Sequence, residues 1–81
     1  MVIAHDNFIG DGCHIAPGAI MGSKINIGDL SIVGIGASIA TDIKIGRSVI
    51  ISVGTSVIKD VPDYAVVEGV PGKIVGKRKV Q

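Results

Sequence analysis

Two histidines and one cysteine are the residues of this 81-residue chain best suited to proton transfer or nucleophilic attack. His5 is followed directly by Asp6, and a carboxylate beside an imidazole orients the ring and raises its basicity. His14 stands nine residues further on. An imidazole near neutral pH serves as a general base, or donates a hydrogen bond to developing negative charge. Two histidines fall short of the three that a histidine-ligated zinc site needs, and no metal is expected. The single cysteine, Cys13, excludes an intrachain disulfide framework. The one charge run, Lys77-Arg78-Lys79, reads first as a solvated tail and second as a phosphate contact.

The elements that must position these residues are set by a repeat. Every sixth residue from Ile3 is aliphatic through ten hexads: Ile3, Ile9, Ile15, Met21, Ile27, Val33, Ile39, Ile45, Ile51 and Val57. The next position is small in nine of the ten, Ile58 being the exception. A fixed period with no insertion defines a repeat architecture before any other reading. Six residues supply one short strand and a turn, three of them one triangular coil of 18. The fold class is therefore all-β, a parallel β-helix of hexapeptide repeats with about three to four coils. Residues 1–60 form the helix, and residues 61–81 form a closing segment and basic tail.

Strands of two or three residues are predicted, ending on each aliphatic position. Gly-Asp, Gly-Ser and Gly-Arg pairs between them are expected to turn the chain, with glycine adopting positive φ. The fifth hexad position is the second inward one: Asn7, Cys13, Ala19, Ile25, Ser31, Ala37, Ile43, Val49, Thr55 and Val61. All but Asn7 are small or aliphatic and β-branched, as a narrow interior demands, and Cys13 reads as a core residue in this register. The repeat stops at Val61-Pro62-Asp63. Tyr64 to Val70 is β-rich, Val70-Pro71-Gly72 a turn, and Lys73 to Val75 a last short strand. His5 falls at the third hexad position and His14 at the sixth. They lie half a coil apart, so they cannot touch within one prism but can meet where two prisms face each other.

Net charge is +1, so no global field favours nucleic acid or an acidic membrane. No stretch approaches the roughly 18 apolar residues of a membrane span, and Met1-Val2-Ile3 is not a signal peptide. A cytoplasmic protein is the expectation. Three coils bury little, which points to self-association with cyclic symmetry. The repeat begins at residue 3 without a cap, leaving an open strand edge for a further element to cover.

His5-Asp6-Asn7, Ile9-Gly10-Asp11 and His14-Ile15-Ala16-Pro17-Gly18-Ala19 resemble the start of the β-helix in one acyltransferase group. That group holds the sialic acid O-acetyltransferases and the UDP-4-amino-sugar N-acetyltransferases. The closing run Lys59-Asp60-Val61-Pro62-Asp63, then Gly69-Val70-Pro71-Gly72-Lys73, is similar to the family's closing motif. The resemblance implies a left-handed β-helix and a homotrimer, with acetyl-CoA in the groove between neighbouring prisms. It implies that His5 is the catalytic base and that Asp6 tunes it. His14 aligns with the histidine at the thioester end of acetyl-CoA. Ile35 and Val53, flanked by Gly36 and Gly54, align with cofactor positions lined by backbone; Lys73 reads either as a contact to a CoA phosphate or as a plain exposed lysine. The family's N-terminal sugar-nucleotide domain has no counterpart in the 81 residues.

The expected function is therefore transfer of an acetyl group from acetyl-CoA to an amine or hydroxyl of a sugar or sugar nucleotide. Direct attack fits better than an acyl-enzyme, because no exposed cysteine or serine adjoins a base. The alternative is a non-catalytic trimeric β-helix module. A γ-type carbonic anhydrase fails on histidine count, and an ice-binding β-helix on the missing Thr-x-Thr ladder.

Overall fold

A computed structural model describes residues 2, 3 and 6–78. Its strands are β1 (Val2–Ile3), β2 (Phe8–Ile9), β3 (His14–Ile15), β4 (Ile20–Met21), β5 (Asn26–Ile27), β6 (Ile32–Val33), β7 (Ser38–Ile39), β8 (Lys44–Ile45), β9 (Ile50–Ile51), β10 (Ser56–Val57), β11 (Ala65–Glu68) and β12 (Lys73–Lys77). They stack into three faces of a solenoid of about three turns. Face one is β1-β4-β7-β10, face two is β2-β5-β8, and face three is β3-β6-β9-β11-β12. Among β1–β10 the pairing within a face is parallel and the register step is 18 residues, as in Val2↔Ile20, Phe8↔Asn26 and His14↔Ile32. The predicted β-helix is thus the observed one, and no helix occurs among the described residues.

Each two-residue strand from β2 to β10 holds one outward and one inward side chain, because successive residues point to opposite faces. The inward columns are Met21, Ile39 and Val57 on face one, Ile27 and Ile45 on face two, and Val33, Ile51 and Val67 on face three. All are buried in one continuous core. Corner positions Ala19, Ile25, Ala37, Ile43 and Val49 complete it.

The turns differ from the expectation. Gly10, Gly22, Gly28 and Gly46, the glycines of the Gly-Asp, Gly-Ser and Gly-Arg pairs, do not take positive φ. The left-handed residue comes two positions later: Asp6, Gly12, Gly18, Lys24, Leu30, Gly36, Asp42, Ser48 and Gly54. The small residue after each aliphatic one has another cause. A Cβ on Gly28 would lie 2.6 Å from the amide nitrogen of Arg47, and one on Gly34 would lie 2.7 Å from the carbonyl oxygen of Ile51. Stacked corners approach so closely there that backbone meets backbone.

Polar fifth-position side chains close the corners. Ser31 Oγ donates to the carbonyl of Gly46 at 2.8 Å and accepts from the amide of Val49 at 3.0 Å. Asn7 Nδ2 donates to Gly22 O at 2.9 Å and Asn7 Oδ1 accepts from the amide of Ile25 at 2.9 Å. Cys13 Sγ donates to Gly28 O at 3.1 Å. The corner between faces three and one instead closes on itself, with Ala37 N donating to Gly34 O at 3.2 Å and Thr55 N to Ser52 O at 3.2 Å.

The last coil is two residues short. Val61 bridges Ile45, and Val67 pairs with Ile51, both steps of 16 rather than 18. Val61 therefore occupies the aliphatic strand position of face two, not the fifth hexad position assigned from the sequence. Asp60 and Asp63 hold the shortened coil, their Oδ1 atoms accepting from the amides of Lys44 at 2.9 Å and Arg47 at 3.0 Å. The chain then reverses through a cis Val70–Pro71 peptide, and β12 pairs antiparallel with β11. This last strand runs to Lys77, two residues beyond the expectation. Its turn covers face one, where Gly72 N donates to Ser56 O at 2.7 Å.

Candidate functional site

Three corners run the length of the solenoid, and the candidate residues distribute over them. Asp6 is exposed at the corner between faces one and two, with φ 63°. His5 lies outside the described residues. His14 opens β3 on face three, the face opposite the Asp6 corner. Its backbone is fixed by donation to Ser31 O at 3.0 Å, and its side chain points outward and is exposed. The strand alternation that turns half-buried Ile15 toward the core presents His14 to solvent.

Ile35 and Val53 lie on the corner between faces three and one, 56% and 72% exposed. Gly18, Gly36 and Gly54 all take positive φ along this corner. A Cβ on Gly36 or Gly54 would meet nothing within 4 Å. The corner is held by the donation of Gly54 N to Ile35 O at 2.9 Å. The result is a ridge of bare backbone between two exposed aliphatic side chains. It borders the same face as His14.

Lys73 sits elsewhere. It lines a hollow of about 280 Å³ at the closing end of the solenoid, beside Lys59, Asp60 and Ile74. The structure therefore places His14 and the Ile35/Val53 ridge around face three, Asp6 on the opposite corner, and Lys73 at the end. Among the described residues, His14 and Lys73 line two separate hollows.

A wider hollow gathers His14 with residues that the repeat pattern did not single out. A groove of about 670 Å³ runs along the corner between faces two and three, from Gly12 and His14 past Leu30 and Ile32 to Ser48. Arg47, Tyr64 and Arg78 line its far end. Arg78 is anchored there: its amide donates to Tyr64 O at 2.6 Å and its Nη1 to Ser48 O at 3.4 Å. The signal in the sequence was the fourth hexad position, where Leu30 replaces a residue tolerant of positive φ. Among the described residues no group of three or more His, Cys, Asp or Glu stands close enough to hold a metal ion. No helix among them is long and apolar enough to cross a membrane.

A hexapeptide solenoid with an outward histidine on one strand and a bare glycine ridge beside it has the architecture of the hexapeptide-repeat acyltransferases. The chain's structural neighbours are sugar N-acetyltransferases and UDP-N-acetylglucosamine acyltransferases, in keeping with the resemblance read from its sequence. A perosamine N-acetyltransferase from Caulobacter crescentus, solved with CoA and GDP-perosamine, superposes with a TM-score of 0.86 at 32% identity. The match covers 89% of this chain and 34% of that one. The acetyltransferase domain of PglB from Neisseria gonorrhoeae, solved with acetyl coenzyme A, gives a TM-score of 0.89 at 32% identity, over 90% of this chain and 36% of that one. A UDP-N-acetylglucosamine acyltransferase from Campylobacter jejuni gives 0.91 at 25% identity, over 93% and 30%. The chain thus spans about a third of the length of each. No protein-family model and no curated protein matches it.

Proposed function

We propose that this chain carries the donor-binding and proton-accepting half of an acetyltransferase that acts on an amine or hydroxyl of a sugar or sugar nucleotide. One observation carries the reading: an exposed His14 and a side-chain-free ridge border one face of a solenoid whose 32%-identical neighbours hold CoA or acetyl-CoA. In this reading the pantetheine arm of acetyl-CoA lies along the backbone at Ile35 and Val53. The glycines beside them leave room for it. Lys73 meets a CoA phosphate.

His5 takes the proton from the acceptor amine or hydroxyl as its lone pair attacks the thioester carbonyl carbon. The carbon–sulfur bond then breaks, and His5 gives the proton to the departing sulfur, so that CoA leaves as its thiol and the base is regenerated. Asp6 orients the His5 ring, and His14 donates to the developing oxyanion. Asp6 and His14 stand on opposite sides of one prism, so such a site needs two chains. A homotrimer, in which each prism's corner faces its neighbour's face, supplies them.

A second reading is a trimeric module that binds CoA and turns nothing over. The observation in its favour is that the chain matches about a third of each neighbour, which leaves the acceptor's binding surface unassigned. Turnover of His5→Ala on amino-sugar acceptors separates the two. A general base predicts a loss of about 100- to 10,000-fold with CoA affinity nearly unchanged. Equal turnover of wild type and His5→Ala would end the mechanism, and a wild type that binds CoA without turnover would favour the module.

A further inference from the structure

We infer that the groove along the corner between faces two and three is a binding site for a nucleoside diphosphate, with Arg47 and Arg78 as its phosphate ligands. Three observations point there. First, the charged side chains at the groove's far end are both guanidinium groups. Arg78 is held in place through its own backbone and through Ser48, and among the described residues neither arginine has a carboxylate ion-pair partner. A planar guanidinium without a partner is suited to bidentate contact with phosphate oxygens.

Second, the walls stand on costly backbone. The same turn position is glycine three times in a row on the neighbouring ridge, at Gly18, Gly36 and Gly54. On this corner it is Gly12 and Ser48 in two coils, and in the other two it carries Leu30 at φ 64° and Tyr64 at φ 63°. Bulky residues in the left-handed region are strained, and such strain gathers at ligand clamps. Leu30 remains 49% exposed, so the core does not account for it. Its side chain lies over Gly12 and forms a wall.

Third, the groove is graded along its length. Cations and the phenol ring of Tyr64 occupy one end, Leu30 and Ile32 the middle, and His14 the other end. That order suits a ligand with a charged nucleotide head and an uncharged arm. Two sources share this chemistry: the ADP portion of CoA, and the nucleoside diphosphate of a sugar nucleotide. The inference rests on the acyl-transfer reading for the choice of these ligands, and its test needs no turnover.

The test is calorimetric titration of the whole chain with ADP, UDP, GDP and pantetheine, for wild type, Arg47→Gln and Arg78→Gln. Replacing one charge-assisted partner is expected to weaken nucleotide binding about 10- to 100-fold. The affinity should also fall with added salt, while pantetheine affinity stays unchanged. Loss confined to ADP assigns the donor, and loss confined to UDP or GDP assigns the acceptor. Unchanged melting of both variants shows that the fold is intact. Nucleotide affinities equal in wild type and both variants, or no nucleotide binding at all, would overturn the inference. Arginine-dependent binding by a chain that transfers no acetyl group would leave the inference standing and remove the acyl-transfer reading instead.

Discussion

Replacing Ser31 by alanine removes two hydrogen bonds from the centre of the solenoid. The hydroxyl is fully buried. It donates to Gly46 O at 2.8 Å and accepts from Val49 N at 3.0 Å. Alanine fills nearly the same space, so the packing term is small. What remains is a buried carbonyl and a buried amide left without these partners, each costing about 1–3 kcal/mol. A total of about 2–6 kcal/mol is expected, against a whole-domain stability of about 5–15 kcal/mol. At about 4–8 °C per kcal/mol for a chain of this size, the melting point should fall by at least about 8 °C and by up to about 50 °C. Ser31→Cys should lose less, because Cys13 already performs half of this task one coil below, with a single 3.1 Å bond to Gly28 O. Urea unfolding at fixed protein concentration is the assay, since association adds to apparent stability. The midpoint should drop with the slope unchanged. A Ser31→Ala stability within about 0.5 kcal/mol of wild type would refute the idea that fifth-position hydroxyls close these corners.

Two glycines on one ridge make opposite forecasts. Gly34→Ala puts a Cβ 2.7 Å from Ile51 O and 2.8 Å from Val53 N, backbone that has no room to give, and should cost about 2–3 kcal/mol; Gly36→Ala meets nothing within 4 Å and should cost only its left-handed φ, about 1 kcal/mol. Denaturation of the two variants side by side checks the order, and Gly36→Ala as the more damaging change would contradict it. His14→Ala should weaken acetyl-CoA binding by roughly 3- to 10-fold, the value of one hydrogen bond. Calorimetry reads this directly, and the melting point should hold because the His14 side chain is exposed.

The parts of the fold legible in the sequence are those the period controls. Ile27, Val33 and Ile51 are buried because the sixth-residue rule places them inward, and the strand positions followed from the same rule. The roles of the small residues were not legible. Gly28 and Gly46 sit beside polar residues, as turn glycines do, yet their task is to admit the next coil's backbone, at Gly46 and Arg47 for the one and at Asp63 for the other. Val61 was misplaced for a related reason. The shortening that carries it onto Ile45 is made by a turn held through Asp60, and no periodic signal precedes such a deletion. For the site, the roles of His14, Ile35 and Val53 rested on the family resemblance, and what the repeat adds is that its phase leaves all three side chains exposed. Sequence reasoning passed over Arg47 and Tyr64, whose meeting depends on how the shortened coil stacks, and it read Arg78 as part of a tail.

The fourth hexad position explains how so uniform a scaffold acquires distinct surfaces. Every corner needs a left-handed residue there, and the aliphatic period leaves its identity free. Between faces three and one the position is glycine throughout, and the result is bare backbone open to close approach. Between faces one and two it is Asp6, Lys24 and Asp42, short or flexible polar residues that leave a charged ridge; aspartate is among the residues that tolerate this conformation best. Between faces two and three it is Gly12, Leu30, Ser48 and Tyr64, where strain is accepted and walls rise around a groove. The core and the register are indifferent to these choices, because none of the side chains points inward. Stability and binding specificity are therefore written in different positions of the same six-residue unit, and one can change while the other stays fixed.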